Sequence, residues 1–263
     1  MPKARINEVE IAYEIKGEGP ALFLLNDLLD GKENFDFIAQ TLAQHFQVIT
    51  HDYRSSGKSG MGKVEFSMKG LADDVIDLAN HLKIDKFFLL GDSMGACVAQ
   101  IVARYYPERV EKMVLSNGYL ELPKVTLWAY ESVFEIFEDD FADDKIYKLL
   151  MPWIFSSKFL EYDDEPKKLI DSRKKHPHYK KAEQFRKHLA ALGEFNSTSW
   201  AKKLTTKTLM IIAEEDLSVL FKDSRTMTRQ IKDHVIELFP GGHNSKLEYP
   251  TRYLEVVVQF LKS

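Results

Sequence analysis

An apolar run, Phe87-Phe88-Leu89-Leu90, stops at Gly91-Asp92-Ser93-Met94-Gly95 and restarts, from Met94 to Tyr106, with apolar residues at helical spacing. A chain that leaves a buried strand and enters a helix within one residue needs a very tight bend. Glycines at positions 91 and 95 allow that bend, because a Cβ at either would crowd it. Ser93 stands on the bend and is a candidate nucleophile. The first amides of the following helix, Met94 N–H foremost, point at the serine's surroundings, where they can stabilise a negative oxygen developing on an acyl group. The chemistry this predicts is acyl transfer. The bland alternative is a strand-to-helix connection with an inert serine, and the rest of the chain must decide between them.

The alternation of element types sets the fold. Arg5 to Lys16 alternates apolar and polar residues around Asn7-Glu8, as a hairpin does, and closes at Gly17-Glu18-Gly19-Pro20. Short apolar runs follow at Ala21–Leu25, Val48–Thr50, Lys86–Leu90, Val110–Leu115, Leu209–Ala213 and Val235–Phe239, the pattern of strands buried on both faces of a mostly parallel sheet. Segments with apolar residues three or four apart lie between them: Phe35–His45, Met68–Leu82, Met94–Tyr106, Phe221–Ile231 and Arg252–Leu261. Strand and helix in turn predict a doubly wound α/β fold.

The alternation breaks over residues 120–200, where helical segments succeed one another. This predicts a helical cap inserted into a core made of residues 1–119 and 201–263. The cap is acidic first (Glu131, Glu135, Glu138, Asp139, Asp140, Asp143, Asp144) and basic later (Lys167, Lys168, Arg173, Lys174, Lys175, Lys180, Lys181, Arg186, Lys187). Solvated helix faces are the plain explanation, a charged gate or a partner surface the sharper one. Its aromatic residues, Trp128, Tyr130, Phe134, Phe137, Trp153, Phe155 and Phe159, are expected to pack the cap, with Trp128 and Trp153 taken as pocket residues.

Composition narrows the partners. With 263 residues and 44% hydrophobic content the chain can bury a full core, and a net charge of −4 points to neither nucleic acid nor an anionic membrane. A small-molecule substrate is therefore expected; a homodimer is compatible with the sequence, which does not fix the oligomeric state. The single cysteine, Cys97, lies on the apolar face of the helix after Ser93, excludes an intrachain disulfide and reads as a packed thiol. No apolar run is long enough to span a bilayer, and the start Met1-Pro2-Lys3-Ala4-Arg5 leads into a strand pattern, so a cytoplasmic location is expected.

A serine hydroxyl needs a base to take its proton and a carboxylate to orient that base. His243 follows the last expected strand in a glycine-rich loop, Phe239-Pro240-Gly241-Gly242-His243-Asn244, and can reach the carboxyl edge of the sheet, where ligands bind in such folds. His51 and His234 are its nearest rivals, since His45, His81, His176, His178 and His188 fall on helices or in the cap. After the preceding strand, Ile211-Ile212-Ala213-Glu214-Glu215-Asp216 supplies three carboxylates; Asp216 is the choice, with Glu214 and Glu215 as alternatives. The loop Ser116-Asn117-Gly118 has none.

Serine, acid and histidine in that chain order, behind a strand-turn-helix Gly-x-Ser-x-Gly, resemble the α/β-hydrolase superfamily over essentially the whole chain. His51-Asp52-Tyr53-Arg54-Ser55-Ser56-Gly57-Lys58-Ser59 resembles the superfamily's Asp-x-Arg-Gly-x-Gly-x-Ser loop, with Ser55 in place of the first glycine, which gives Asp52 and Arg54 a structural role. Pro152-Trp153-Ile154-Phe155-Ser156 and Phe159-Leu160 are similar to lidded carboxylesterases and to the 3-oxoadipate enol-lactone hydrolase group. The resemblance makes Leu28 and Met94 the oxyanion-hole amides. It also marks a departure: relatives usually carry His-Gly where this chain has Asn26-Asp27, pocket residues here, and a carboxylate beside an oxyanion opposes it.

The function these expectations describe is hydrolysis of a small carboxylic ester or lactone through Ser93, His243 and Asp216, with no metal and no cofactor. The alternative is a ligand receptor or a non-hydrolytic enzyme of this fold with a slow triad.

Overall fold

The computed structural model describes all residues except 7, 29–31, 63–65, 137–143, 163 and 175–181. Asn7, Phe137, the acidic residues from Glu138 to Asp143, Lys175, His176, His178, Lys180 and Lys181 therefore lie outside the described residues.

The strands are Lys3–Ile6 (β1), Val9–Lys16 (β2), Ala21–Leu25 (β3), Gln47–His51 (β4), Phe87–Asp92 (β5), Val110–Ser116 (β6), Lys207–Ala213 (β7) and His234–Phe239 (β8). They form one sheet in the order β1-β2-β4-β3-β5-β6-β7-β8. β1 pairs with β2, and β2 with β4, antiparallel; every later pairing is parallel. Chain order reverses beside β3, which lies between β4 and β5, so a crevice opens at the carboxyl ends of β3 and β5.

The helices are Asp36–Leu42 (α1), Met68–His81 (α2), Met94–Tyr105 (α3), Lys124–Ile136 (α4), Asp144–Ile154 (α5), Ser157–Leu160 (α6), Glu165–Lys174 (α7), Ala182–Gly193 (α8), Phe221–Gln230 (α9), Ser245–Glu248 (α10) and Pro250–Lys262 (α11). Where strand periodicity is two, alternate residues serve opposite layers. Leu22, Leu24, Phe88, Leu90, Val114, Leu209 and Ile211 pack with α1 and α11. Phe23, Leu25, Leu89, Met113, Leu115, Met210 and Ile212 belong to the larger core with α2, α3 and α9. α2 starts where Ser67 Oγ accepts from the Gly70 amide at 3.1 Å, and α11 starts at Pro250, two residues before the periodicity indicates, because proline suits the first helical position. α1 is shorter than its periodic segment, ending at Leu42 in a turn through Ala43 to His45.

α4 to α8 lie between β6 and β7 and share the larger core through Tyr130, Phe134, Leu150, Ile154, Phe185 and Leu192. The entry and exit of this insertion meet: Glu121 and Asn196 form an antiparallel bridge, and Ser197 N–H donates to Leu120 O at 2.8 Å. Phe134 stacks on Phe185, and Phe155 on Phe159, so most of the insertion's described aromatic side chains are packing groups. Glu131, Glu135, Lys167, Lys168 and Arg186 are exposed on its surface. No helix among the described residues is long and apolar enough to cross a membrane.

Candidate active site

Ser93 joins β5 to α3 with φ 53° and ψ −111°, a backbone that an L-residue holds only when its surroundings force it. The forcing is steric. A Cβ on Gly91 would overlap Gly95 O, and one on Gly95 would overlap Leu25 O, so α3 can start against the end of β3 only with glycine at both sites. That approach sets the start of α3 against the Leu25-Asn26 end of β3, with Met94 fully buried there, while Asp27 and Leu28 beyond it line a crevice.

The crevice holds a cavity of about 480 Å3, mouth included, whose walls include Ser93, His243, Asp27, Leu28, Tyr119 and Tyr130. His243 comes from the loop after β8, and its Nδ1–H donates to Asp216 Oδ2 at 2.7 Å. The other carboxylate oxygen, Oδ1, accepts from the Val219 amide at 2.8 Å. Asn117, which follows β6 with φ 50°, donates from Nδ2 to His243 O at 2.5 Å. The acid loop therefore holds the ring of His243, and the end of β6 holds its backbone. Burial disfavours the charged imidazolium, but the Asp216 carboxylate, its hydrogen bond and the more distant Asp92 and Asp27 outweigh it and raise the His243 pKa above 6.5.

The competing groups lie elsewhere. Glu214 is exposed, and Glu215 accepts from Ser157 N and Oγ of the insertion at 3.2 and 2.9 Å. His234 is bonded through Nδ1 to Ile231 O at 2.7 Å, and His51 is fully buried at the end of β4, where desolvation pulls its pKa down to about 4. Neither lines the cavity. Cys97 is buried in α3, and desolvation pushes its thiol well above the ordinary range.

Three expected pocket residues are corrected. Trp128 is 67% exposed, because Thr126 and Tyr130, four apart on α4, face the cavity and position 128 lies on the other side of the helix. Trp153 is half-buried and takes part through its backbone, whose carbonyl accepts from Ser218 Oγ at 2.8 Å; the neighbouring Ile154 lines the cavity in its place. Asn26 turns away from the cavity, donating from Nδ2 to His51 O at 2.9 Å and accepting from Tyr53 OH at its carbonyl. Asp27 does line the cavity, with Asn34 Nδ2 donating to its carboxylate at 3.0 Å.

The loop after β4 is built around Asp52 and Arg54. Asp52 accepts from Lys58 N at 2.9 Å, while Arg54 donates twice to Asp74 on α2 at 2.7 and 2.6 Å. Ser55, in the place of a glycine, adopts φ 61° with its hydroxyl buried and unpartnered among the described residues.

Several residues of the site carry no motif. Tyr119 and Tyr130 line the cavity, and Tyr130 OH shares a 3.0 Å bond with Ser218 Oγ, tying α4 to the acid loop. Lys246 on α10 is buried and donates to Asp92 Oδ2 at 2.5 Å. One signal for it stood in the sequence: an aspartate closing a buried apolar strand needs a partner.

Residues 20–250 match a family model described as the alpha/beta hydrolase fold. The putative carbamate hydrolase RutD of Rhizobium rhizogenes is 24% identical over 85% of this chain and 86% of its own length. The pyrrolizixenacetamide deacetylase of Xenorhabdus hominickii is 23% identical over 100% of this chain and 98% of its own. The crystal structure of the enol-lactonase from Burkholderia xenovorans LB400 superposes with a TM-score of 0.88 at 22% identity, covering 100% of both chains.

Proposed function

The chain belongs to the α/β-hydrolase fold family, and on that footing we propose that it hydrolyses a small carboxylic ester or lactone through Ser93, His243 and Asp216. The observation that carries this reading is the Asp216–His243 hydrogen bond, 2.7 Å long, at a cavity whose wall also holds Ser93 on its strained bend. In this mechanism Asp216 keeps the Nδ1–H tautomer of His243, leaving Nε2 to take the Ser93 proton. Ser93 Oγ attacks the carbonyl carbon, and the Met94 and Leu28 amides receive the oxyanion. Collapse expels the alcohol, protonated by His243, and leaves an acyl-enzyme. Water, deprotonated by His243, then attacks the acyl carbon and releases the acid. Residues 120–200 serve as the cap, with Tyr130 as a wall of the acyl site.

Asp27 narrows the substrate class. A negatively charged group entering the cavity that Asp27 lines is repelled by its carboxylate, so a neutral or cationic acyl group fits better than an anionic one. The deacetylase and carbamate hydrolase among the relatives support a hydrolytic reading of the same site.

Fluorophosphonate labelling followed by intact-mass measurement tests the proposal. One adduct on the wild type, absent from Ser93→Ala and strongly slowed in His243→Ala, is the expected result. A folded wild type that takes no label overturns it and favours a ligand-binding protein of this fold, consistent with a carboxylate placed near the oxyanion.

A further inference from the structure

Lys246 and Asp92 form an ion pair whose side chains are 1% and 2% exposed. Asp92 immediately precedes Ser93, and Lys246 follows His243 by three residues. The pair is thus a point-to-point tie, spanning 154 residues of chain, between the turn that presents Ser93 and the segment that presents His243. We propose that the Lys246–Asp92 ion pair is a positioning device that sets the approach of His243 to Ser93; this rests on the triad reading above.

Three features argue for positioning over bulk stability. First, the segment after β8 is already held by other bonds: Asn117 holds the His243 carbonyl, and Glu248 accepts from the Gly242 amide at 2.9 Å and the Ser156 amide at 3.1 Å. Second, a buried ion pair contributes little that two well-packed apolar side chains would not, since desolvating both ions offsets their attraction. Third, the tie is exclusive. Asp92 Oδ1 has no hydrogen-bond partner among the described residues, so Lys246 supplies the directional contact to this carboxylate. Its ammonium also stands 5.7 Å from the Phe35 ring centroid, where an apolar replacement would find packing.

The pair has an electrostatic side that a purely mechanical brace lacks. His243 is faced by Asp216 from the acid loop, Asp92 from β5, Asp27 from the loop after β3 and Lys246 from α10; Asp92 acts on His243 and on the buried hydroxyls of Tyr53 and Tyr253. With Lys246 present, the Asp92 charge already raises the His243 pKa. Without the ammonium beside it, the Asp92 carboxylate favours imidazolium more strongly; without Asp92, its upward push on the His243 pKa is lost.

The test compares Lys246→Met, Asp92→Asn, the apolar double variant Asp92→Leu/Lys246→Met, and Lys246→Arg with the wild type. The double variant is expected to keep the wild-type near-ultraviolet circular dichroism and thermal midpoint. It is expected to label with fluorophosphonate and turn over an ester about 30-fold more slowly, with KM within twofold. The acid limb of kcat/KM is expected to move to higher pH in Lys246→Met and to lower pH in Asp92→Asn and in the double variant, both of which lose the Asp92 charge. Lys246→Arg, which keeps the pair with altered reach, is expected to lower kcat three- to tenfold at unchanged KM and keeps the question answerable if the double variant unfolds. Wild-type kcat in a folded double variant or in Lys246→Arg, or a loss of kcat that only follows the folded fraction, overturns the proposal. A wild type that takes no label overturns the triad reading, a separate outcome.

Discussion

The Asp216 carboxylate is held at both oxygens, by His243 Nδ1–H at 2.7 Å and by the Val219 amide at 2.8 Å. With one oxygen fixed by backbone, the other can orient the imidazole without moving. Asp216→Asn replaces an acceptor with a group that can also donate, which favours the wrong tautomer. A loss of about 10³- to 10⁴-fold in kcat is expected, measured with an activated ester. A loss below tenfold would show that another group orients His243.

The raised His243 pKa sets the pH dependence. In the proposed mechanism catalysis needs the neutral imidazole, so kcat/KM is expected to fall as pH drops through a midpoint above 6.5. Because Asp216 is the strongest influence raising that pKa, the residual activity of Asp216→Asn is expected to show its acid limb at lower pH than the wild type.

Asp27 predicts charge selectivity. A neutral acetyl ester is expected to be preferred over a hemisuccinate ester of the same alcohol, and Asp27→Asn to narrow the gap by about tenfold, a Coulomb change of about 1.4 kcal/mol. Equal selectivity in wild type and variant would place the Asp27 charge outside the acyl site.

His51 predicts loss of stability in acid. Its folded pKa of about 4 lies below the unfolded 6.5, so the unfolded chain binds the proton first. The stability is complete above 6.5 and is lost as pH falls towards 4, by about 3 kcal/mol. Both ring nitrogens are unpartnered among the described residues, so His51→Phe leaves no broken bond. Urea midpoints at about pH 7 and about pH 4.5 are expected to differ less in the variant than in the wild type. The raised pKa of His243 acts with the opposite sign and is common to both proteins.

Ser55 stores strain. With φ 61° and a buried, unpartnered hydroxyl, it holds a backbone that glycine adopts freely. Ser55→Gly is expected to raise stability by about 0.5–1 kcal/mol, the relief exceeding glycine's greater freedom in the unfolded chain. Thermal denaturation checks the sign.

The fold was legible because its signals are local. β3 and β5 are apolar on both faces and need no distant information to be recognised, and the bend at Ser93 is written in the spacing of Gly91 and Gly95. The site was legible as residue types in order, but not as orientations. Adjacent carboxylates in a run do not show that Asp216 turns inward to His243 and Val219 while Glu215 turns outward to Ser157 of the insertion. Trp128 could not be assigned a face until the rotation of α4 was known, and Tyr119 belongs to no motif. Lys246 hides best, since a lysine is usually solvated and nothing in its neighbours indicates a carboxylate 154 positions away.

Glu248 gathers the Gly242 amide, the Ser156 amide and the Ser156 hydroxyl on one side chain. The insertion and the histidine loop are consequently a matched set. A chimaera that receives a relative's insertion without a hydroxyl at position 156 leaves one Glu248 oxygen without its partner, so an insertion is not exchanged cleanly by itself: the graft must carry its own fastening to the loop that bears His243.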